Sequence, residues 1–163
     1  MAQPEVSITE QYKTENKEAE GWLLWYEERK RKLEQRRADI LLSVPIGPAG
    51  IPTTGNVSDN TGRRAAKLAD LQRDEEWLRV VEEVEKRLPW KQLIFLRLRR
   101  EYRYHRGRRG WTAAVQWRYA EAVAKRLGKD PEDTWVESRQ AMNDWWRRIV
   151  EYTAREAFRR GLL

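Results

Sequence analysis

The sequence contains no cysteine. That excludes a disulfide framework, a thiolate zinc site and a thiol nucleophile. Its one histidine, His105, stands among arginines, so neither a histidine metal site nor a catalytic triad has the bases it needs. No run approaches the roughly 20 apolar residues of a membrane-spanning helix. The stretch Met1 to Glu10 has no basic segment followed by an apolar one, so no secretory signal is expected there. The many Asp and Glu residues fall on helical outer faces beside basic partners and form no convergent acidic motif. No enzymatic activity, no catalytic residue, no metal and no cofactor are expected, and a cytoplasmic location is.

Proline and glycine are also scarce, at six and nine residues, and seven of them fall between Pro45 and Gly62. The rest of the chain is therefore free to be helical. A mean hydropathy of -0.93 would fit disorder, but nine Trp and six Tyr offer large apolar areas to bury. The fold expected is all-α, with Trp residues anchoring narrow, charge-flanked seams.

The apolar spacings predict five helices. The first runs from about Lys13 to Leu42, with Trp22, Trp25/Tyr26, Leu33 and Ile40 inward and Arg29 and Arg36 interrupting the stripe. Pro45 ends it. Residues 43–62 read as a loop or hinge. Its glycines are followed by Arg63 and Arg64, not by Lys-Ser/Thr, and no strand precedes them, which argues against a nucleotide loop. Ser58 or Asp59 is expected to cap a second helix over 63–88, with the stripe Leu68, Trp77, Val80/Val81, Val84 and Leu88. The two helices are expected to form an antiparallel hairpin. Pro89 marks a break.

A basic domain is expected over 89–163. A third helix spans Trp90 to Tyr104. A fourth spans Thr112 to Leu127, with Ala113, Trp117, Ala120, Ala124 and Leu127 inward. A fifth starts with Asp130 as N-cap and Pro131 at the first helical position, and runs to about Arg160. Trp145-Trp146, Ile149/Val150 and Phe158 form its seam, read as packing on the third helix in preference to an oligomer contact.

The whole net charge of +7 comes from the last 73 residues, which carry nine more Lys/Arg than Asp/Glu. Such asymmetry points to a polyanion partner. Seven arginines and one glutamate fall between Arg97 and Arg109. The fourth helix, the turn at Gly128 and the fifth helix read as a helix-turn-helix, with Ala124 and Gly128 as the close-packing and turning residues. In that arrangement Arg103, Arg106, Arg108, Arg109 and Lys129 hold DNA phosphates. Thr134, Glu137, Ser138, Arg139, Gln140 and Asn143 face base edges, with Arg suited to guanine and Asn or Gln to adenine.

The order of motifs resembles a known family. Leu33-Glu34 through Ile40-Leu41, the loop Gly55-Asn56-Val57-Ser58-Asp59-Asn60-Thr61-Gly62-Arg63-Arg64, the helix Trp77-Leu78-Arg79-Val80-Val81-Glu82-Glu83-Val84, Leu88-Pro89, Leu96-Arg97-Leu98 and Trp146-Arg147-Arg148-Ile149-Val150 are similar to the RinA/ArpU family. These are phage-encoded activators of late, morphogenesis or packaging genes with a helix-turn-helix like sigma region 4. The Arg-rich stretch 103–110 and the long turn after Gly128 depart from the family pattern. The resemblance implies a sequence-specific double-stranded DNA-binding activator that works in the bacterial host cytoplasm and contacts host RNA polymerase. A homo-oligomer assembled through the N-terminal hairpin is also expected, because the Trp22/Trp25 and Trp77/Val81 stripes exceed what two helices need to cover each other. The competing expectation is a small terminase-type packaging subunit forming an oligomeric ring. A third is an RNA-binding or adaptor protein.

Overall fold

A computed structural model of the chain describes residues 8–42, 57–105 and 110–163, with side chains described in the second segment from Gly62 onward. Among these residues there are helices and no strands: α1 (Ile8–Leu24), α2 (Tyr26–Leu42), α3 (Val57–Arg87), α4 (Trp90–Glu101), α5 (Gly110–Leu127) and α6 (Arg139–Arg159), with a single 3-10 turn at Pro131–Asp133. None is long and apolar enough to cross a membrane.

The expected first helix is two helices. Bonds from the Trp25 N–H to the Gly21 carbonyl (3.0 Å) and from the Arg29 N–H to the Trp25 carbonyl (2.9 Å) carry the ladder up to and away from Trp25. The partners on α3 show what happens there. Along α2 they run antiparallel: Tyr26 donates to Glu82, Arg36 faces Asp74 and Arg37 pairs with Glu75. Along α1 the order reverses, since Glu18 meets Arg73 and Trp22 stacks on Trp77 at 5.5 Å. The chain therefore bends at Trp25. Arg29 lies across the inside of the bend, 4.2 Å from the Trp22 ring. A Cβ on Gly21 would come within 3.1 Å of the Arg29 guanidinium, so the small residue leaves room for that contact. Burial lowers the Arg29 pKa from its ordinary value, against the opposing pull of Asp74 and Glu18.

The packing of α2 along α3 is compatible with the expected hairpin, but α3 begins earlier than the sequence suggests. Ser58, Asp59 and Gly62 lie inside the helix, so the expected cap and the last part of the expected hinge belong to it. Residues 43–56 lie outside the described residues. Leu68 is exposed, and the buried stripe starts instead at Leu71, then Trp77, Val80, Val81 and Val84. The break at Leu88-Pro89 falls where proline places it, and α4 opens with the Leu93 N–H bonded to the Pro89 carbonyl (3.0 Å). That helix stops at Glu101, three residues short of the expected end.

The core joins α1, α3, α4, α5 and α6 through Leu23, Trp77, Phe95, Leu96, Val115 and Met142, all fully buried. Each such side chain contributes about 1.5–3 kcal/mol on leaving water. Phe95 meets Trp145 edge-on at 5.5 Å, and Trp111 meets Trp146 at 6.5 Å. The seam of the last helix thus packs on α4 as expected and also on α5, except that Phe158 points outward. On α5 the inward set is Thr112, Val115, Tyr119, Ala120, Val123 and Ala124. Trp117 and Leu127, expected inside, are exposed. Against α3, α6 runs antiparallel: Arg87 bonds Tyr152 (2.9 Å), and Arg160 reaches Glu76 (3.3 Å).

Candidate nucleic-acid interface

The basic run at the end of α4 is divided by its surroundings. Arg99 is only 6% exposed. Its guanidinium lies 4.4 Å from the Trp111 ring and 5.0 Å from the Trp146 ring, a cation–π cage. Among the described residues no carboxylate stands within ion-pair distance of it, and its Nε and Nη1 have no hydrogen-bond partner. Burial lowers its pKa, with Glu20 opposing. Arg100 donates to the Leu23 carbonyl (2.7 Å) and pairs with Glu85, while its guanidinium lies 5.1 Å from the Tyr26 ring. Arg103, expected on phosphate, pairs instead with Glu28 of α2 and lies 4.8 Å from Trp25 and 5.1 Å from Tyr104. These three arginines hold α4 to α1, α2 and the aromatic core. Arg97 is exposed. Arg106, Arg108 and Arg109 lie outside the described residues.

The turn between α5 and α6 is built from two separate signals. Gly128, at φ 66°, lets the Lys129 N–H reach back to the Ala124 carbonyl (2.9 Å) while its own N–H bonds Lys125 (3.3 Å). This is a Schellman closure, and it needs the left-handed residue that glycine supplies. Lys129 is exposed just beyond it.

The expected cap at Asp130-Pro131 produces only the 3-10 turn, with no side-chain cap bond. The chain then stays extended to Ser138, whose hydroxyl oxygen accepts from the Ala141 N–H (3.0 Å) and caps α6. The last helix therefore starts at Arg139, eight residues later than expected.

That shift re-sorts the expected base readers. Thr134 precedes the helix and donates to the Asp130 carbonyl (3.2 Å). Glu137 also precedes it, and its carbonyl accepts from the Gln116 side chain (2.9 Å). Ser138 is occupied as the cap. Arg139, Gln140 and Asn143 are exposed in the first two turns of α6, with Gln140 donating to Asp144 (3.2 Å). Arg147, bonded to Asp144, and Arg148 extend the same exposed side. The turn itself, residues 128–138, carries four carboxylates against one lysine.

Two aromatic residues in this region were not foreseen as surface groups. Trp117 is 66% exposed and Trp135 79% exposed. Trp135 walls a cleft of about 370 Å³ together with Lys91, Tyr119, Lys129, Thr134 and Glu137. Burial, with Glu137 adding to it, pushes the Tyr119 hydroxyl up to about 12. The signal for Trp135 was its place after Asp130-Pro131-Glu132-Asp133, a turn-forming run that no inward stripe crosses. Among the described residues no group of three His, Asp or Glu is placed to hold a metal ion. Comparison of the chain with protein families, with curated proteins and with solved structures finds no match in any of the three.

Proposed function

We propose that this chain is a sequence-specific double-stranded DNA-binding protein, an activator of phage late genes, that reads its site with the N-terminal half of α6. One observation carries the proposal. A capped helix leaves a closed turn with Arg139, Gln140 and Asn143 uncovered on its first turns and Arg147 and Arg148 beside them. Helices placed in this way enter the major groove with their N-terminal residues at base edges. Arg139 fits a bidentate guanine contact, and Gln140 and Asn143 fit adenine. Arg148, Lys129 and the arginines at 106, 108 and 109 supply phosphate contacts. Arg103 does not, because Glu28 and two aromatic rings hold it. The carboxylates of the turn repel phosphates and so restrict the approach to one side of α6.

Selection of bound sequences from a random duplex pool tests the proposal. One enriched motif is expected. With that motif in hand, Arg139→Ala should lower affinity for it by roughly 5 to 150-fold and affinity for scrambled duplex far less, at one fixed salt. A pool that never enriches rules out sequence-specific reading. Equal losses on both duplexes make Arg139 a phosphate contact.

A further inference from the structure

The exposed end of α1 and the outer face of α6 enclose a second groove, of about 360 Å³, lined by Tyr12, Glu15, Asn16, Ala154, Arg155 and Phe158. The inward stripe of α1 is Ala19 and Leu23, both fully buried. Continued toward the N-terminus at helical spacing, the stripe reaches Asn16, Tyr12 and Ile8. Tyr12 is 49% and Ile8 87% exposed, and Phe158 across the groove is 64% exposed. Apolar residues thus continue past the point where the other described residues cover them. The Asn16 side-chain oxygen is buried there without a hydrogen-bond donor.

The charges around this apolar centre are balanced. Glu15 and Glu151 stand against Arg155 and Arg159, the last already bonded to Glu156 at 2.7 Å. Glu151 precedes Arg155 by four on α6, the orientation that favours pairing along one helix. Even so, neither takes part in any ion pair of the described residues. A polyanion would meet the two glutamates, and a polycation the two arginines. The surface that matches such a face is one of the same composition, as a two-fold contact requires.

We infer that this groove is the contact between two copies of this chain, with α6 of one copy antiparallel to α6 of the other. The two-fold sets Glu151 of each copy against Arg155 of the other at its centre, and lays Tyr12 and Phe158 of each copy to one side of that pair, with Phe158 over the exposed partner helix near position 148. Arg139 lies 14 residues from the axis near Thr153. The two reading ends would then stand roughly 40 Å apart along the helices, on the scale of DNA half-sites one turn apart. The contact stands on its own observations and does not depend on the DNA reading.

Sedimentation of the full chain over about 1 to 200 µM tests it. A dimer is expected, and Phe158→Asp should weaken it at least tenfold. Glu151→Arg and Arg155→Glu should each weaken it alone, and the two together should restore the dimer to within a few-fold of the parent, because the swapped charges face each other again. All three positions are outside the core, and a circular-dichroism melt verifies folding of each variant. A parent that stays monomeric across the range overturns the inference. So does a double variant no tighter than the single ones, or a mass above two chains.

Discussion

Arg99, Arg100 and Arg103 lie close together at the end of α4, and Arg139, Arg147 and Arg148 lie along α6. In sequence the first group is the denser and the stronger hint of a polyanion site. In the structure it is committed to the interior: one guanidinium between two indoles, two paired with Glu85 and Glu28 and stacked on aromatic rings. On α6, Arg139 and Arg148 are exposed and Arg147 bonds, among the described residues, only its neighbour Asp144. Charge density along a chain therefore overstates the charge offered to a partner wherever aromatic residues are interleaved with it. The interleaving that looks like a nucleic-acid platform is equally the recipe for a cation–π core.

The comparison breaks most sharply at Arg99. Arg99→Ala should cost about 2–4 kcal/mol, since it removes the packing of the stem and the cage contacts together, read as a lower urea midpoint. Arg99→Met fills the same space without a buried charge that lacks hydrogen-bond partners, and it should lose far less or gain stability. If the alanine variant unfolds at the parent midpoint, the cage is not structural.

Arg103 gives an intermediate effect. Arg103→Ala leaves Glu28 unpaired and should cost about 1–3 kcal/mol, with a cycle against Glu28→Ala returning about 1 kcal/mol of coupling. It should leave the slope of log K against log salt for DNA unchanged, whereas Arg148→Ala should flatten that slope by roughly 0.9. A flattened slope for Arg103→Ala would mean that DNA draws this arginine away from Glu28.

The smallest effect belongs to α6. Arg139→Ala and Arg148→Ala should each alter stability by no more than about 0.5 kcal/mol in the same urea titration. A larger loss at either would place it with the α4 group.

Much of this fold could be read from the spacing of apolar residues. The all-helical class, the break at Leu88-Pro89, the pairing of the α2 and α3 stripes and the inward Trp145-Trp146 all follow from local periodicity and proline. The bend at Trp25 does not, because the hydrogen bonds and the apolar spacing run through it. Its cause is tertiary, since α1 turns aside to pack on α6. The late start of α6 was hidden by a competing signal. Asp130-Pro131 has the chemistry of a helix start, but the chain makes one 3-10 turn there and spends Ser138 on the real one. The inward face of α5 is not the one that the Ala113, Trp117, Ala120, Ala124 and Leu127 spacing predicts, although Ala120 and Ala124 belong to both. Thr112, Val115 and Tyr119 define a stripe about one residue away, and that stripe is the one the core takes. The helix that carries the candidate residues was thus legible in the sequence, but not the residue at which it starts.

The packing of α1 on α6 has a consequence for the order in which the molecule is made. Helix α1 rests mainly on α6, which is synthesised later, and all of α2 to α5 lies between them in the chain. At roughly 5–20 residues per second, Leu23 and Ala19 leave the ribosome many seconds before the face that covers them exists. During that interval the nascent chain presents an apolar strip flanked by glutamates and lysines, open to chaperones or to the same strip on a neighbouring nascent chain. A product truncated before α6 would keep that strip open permanently, so loss of α6 removes the lid from α1.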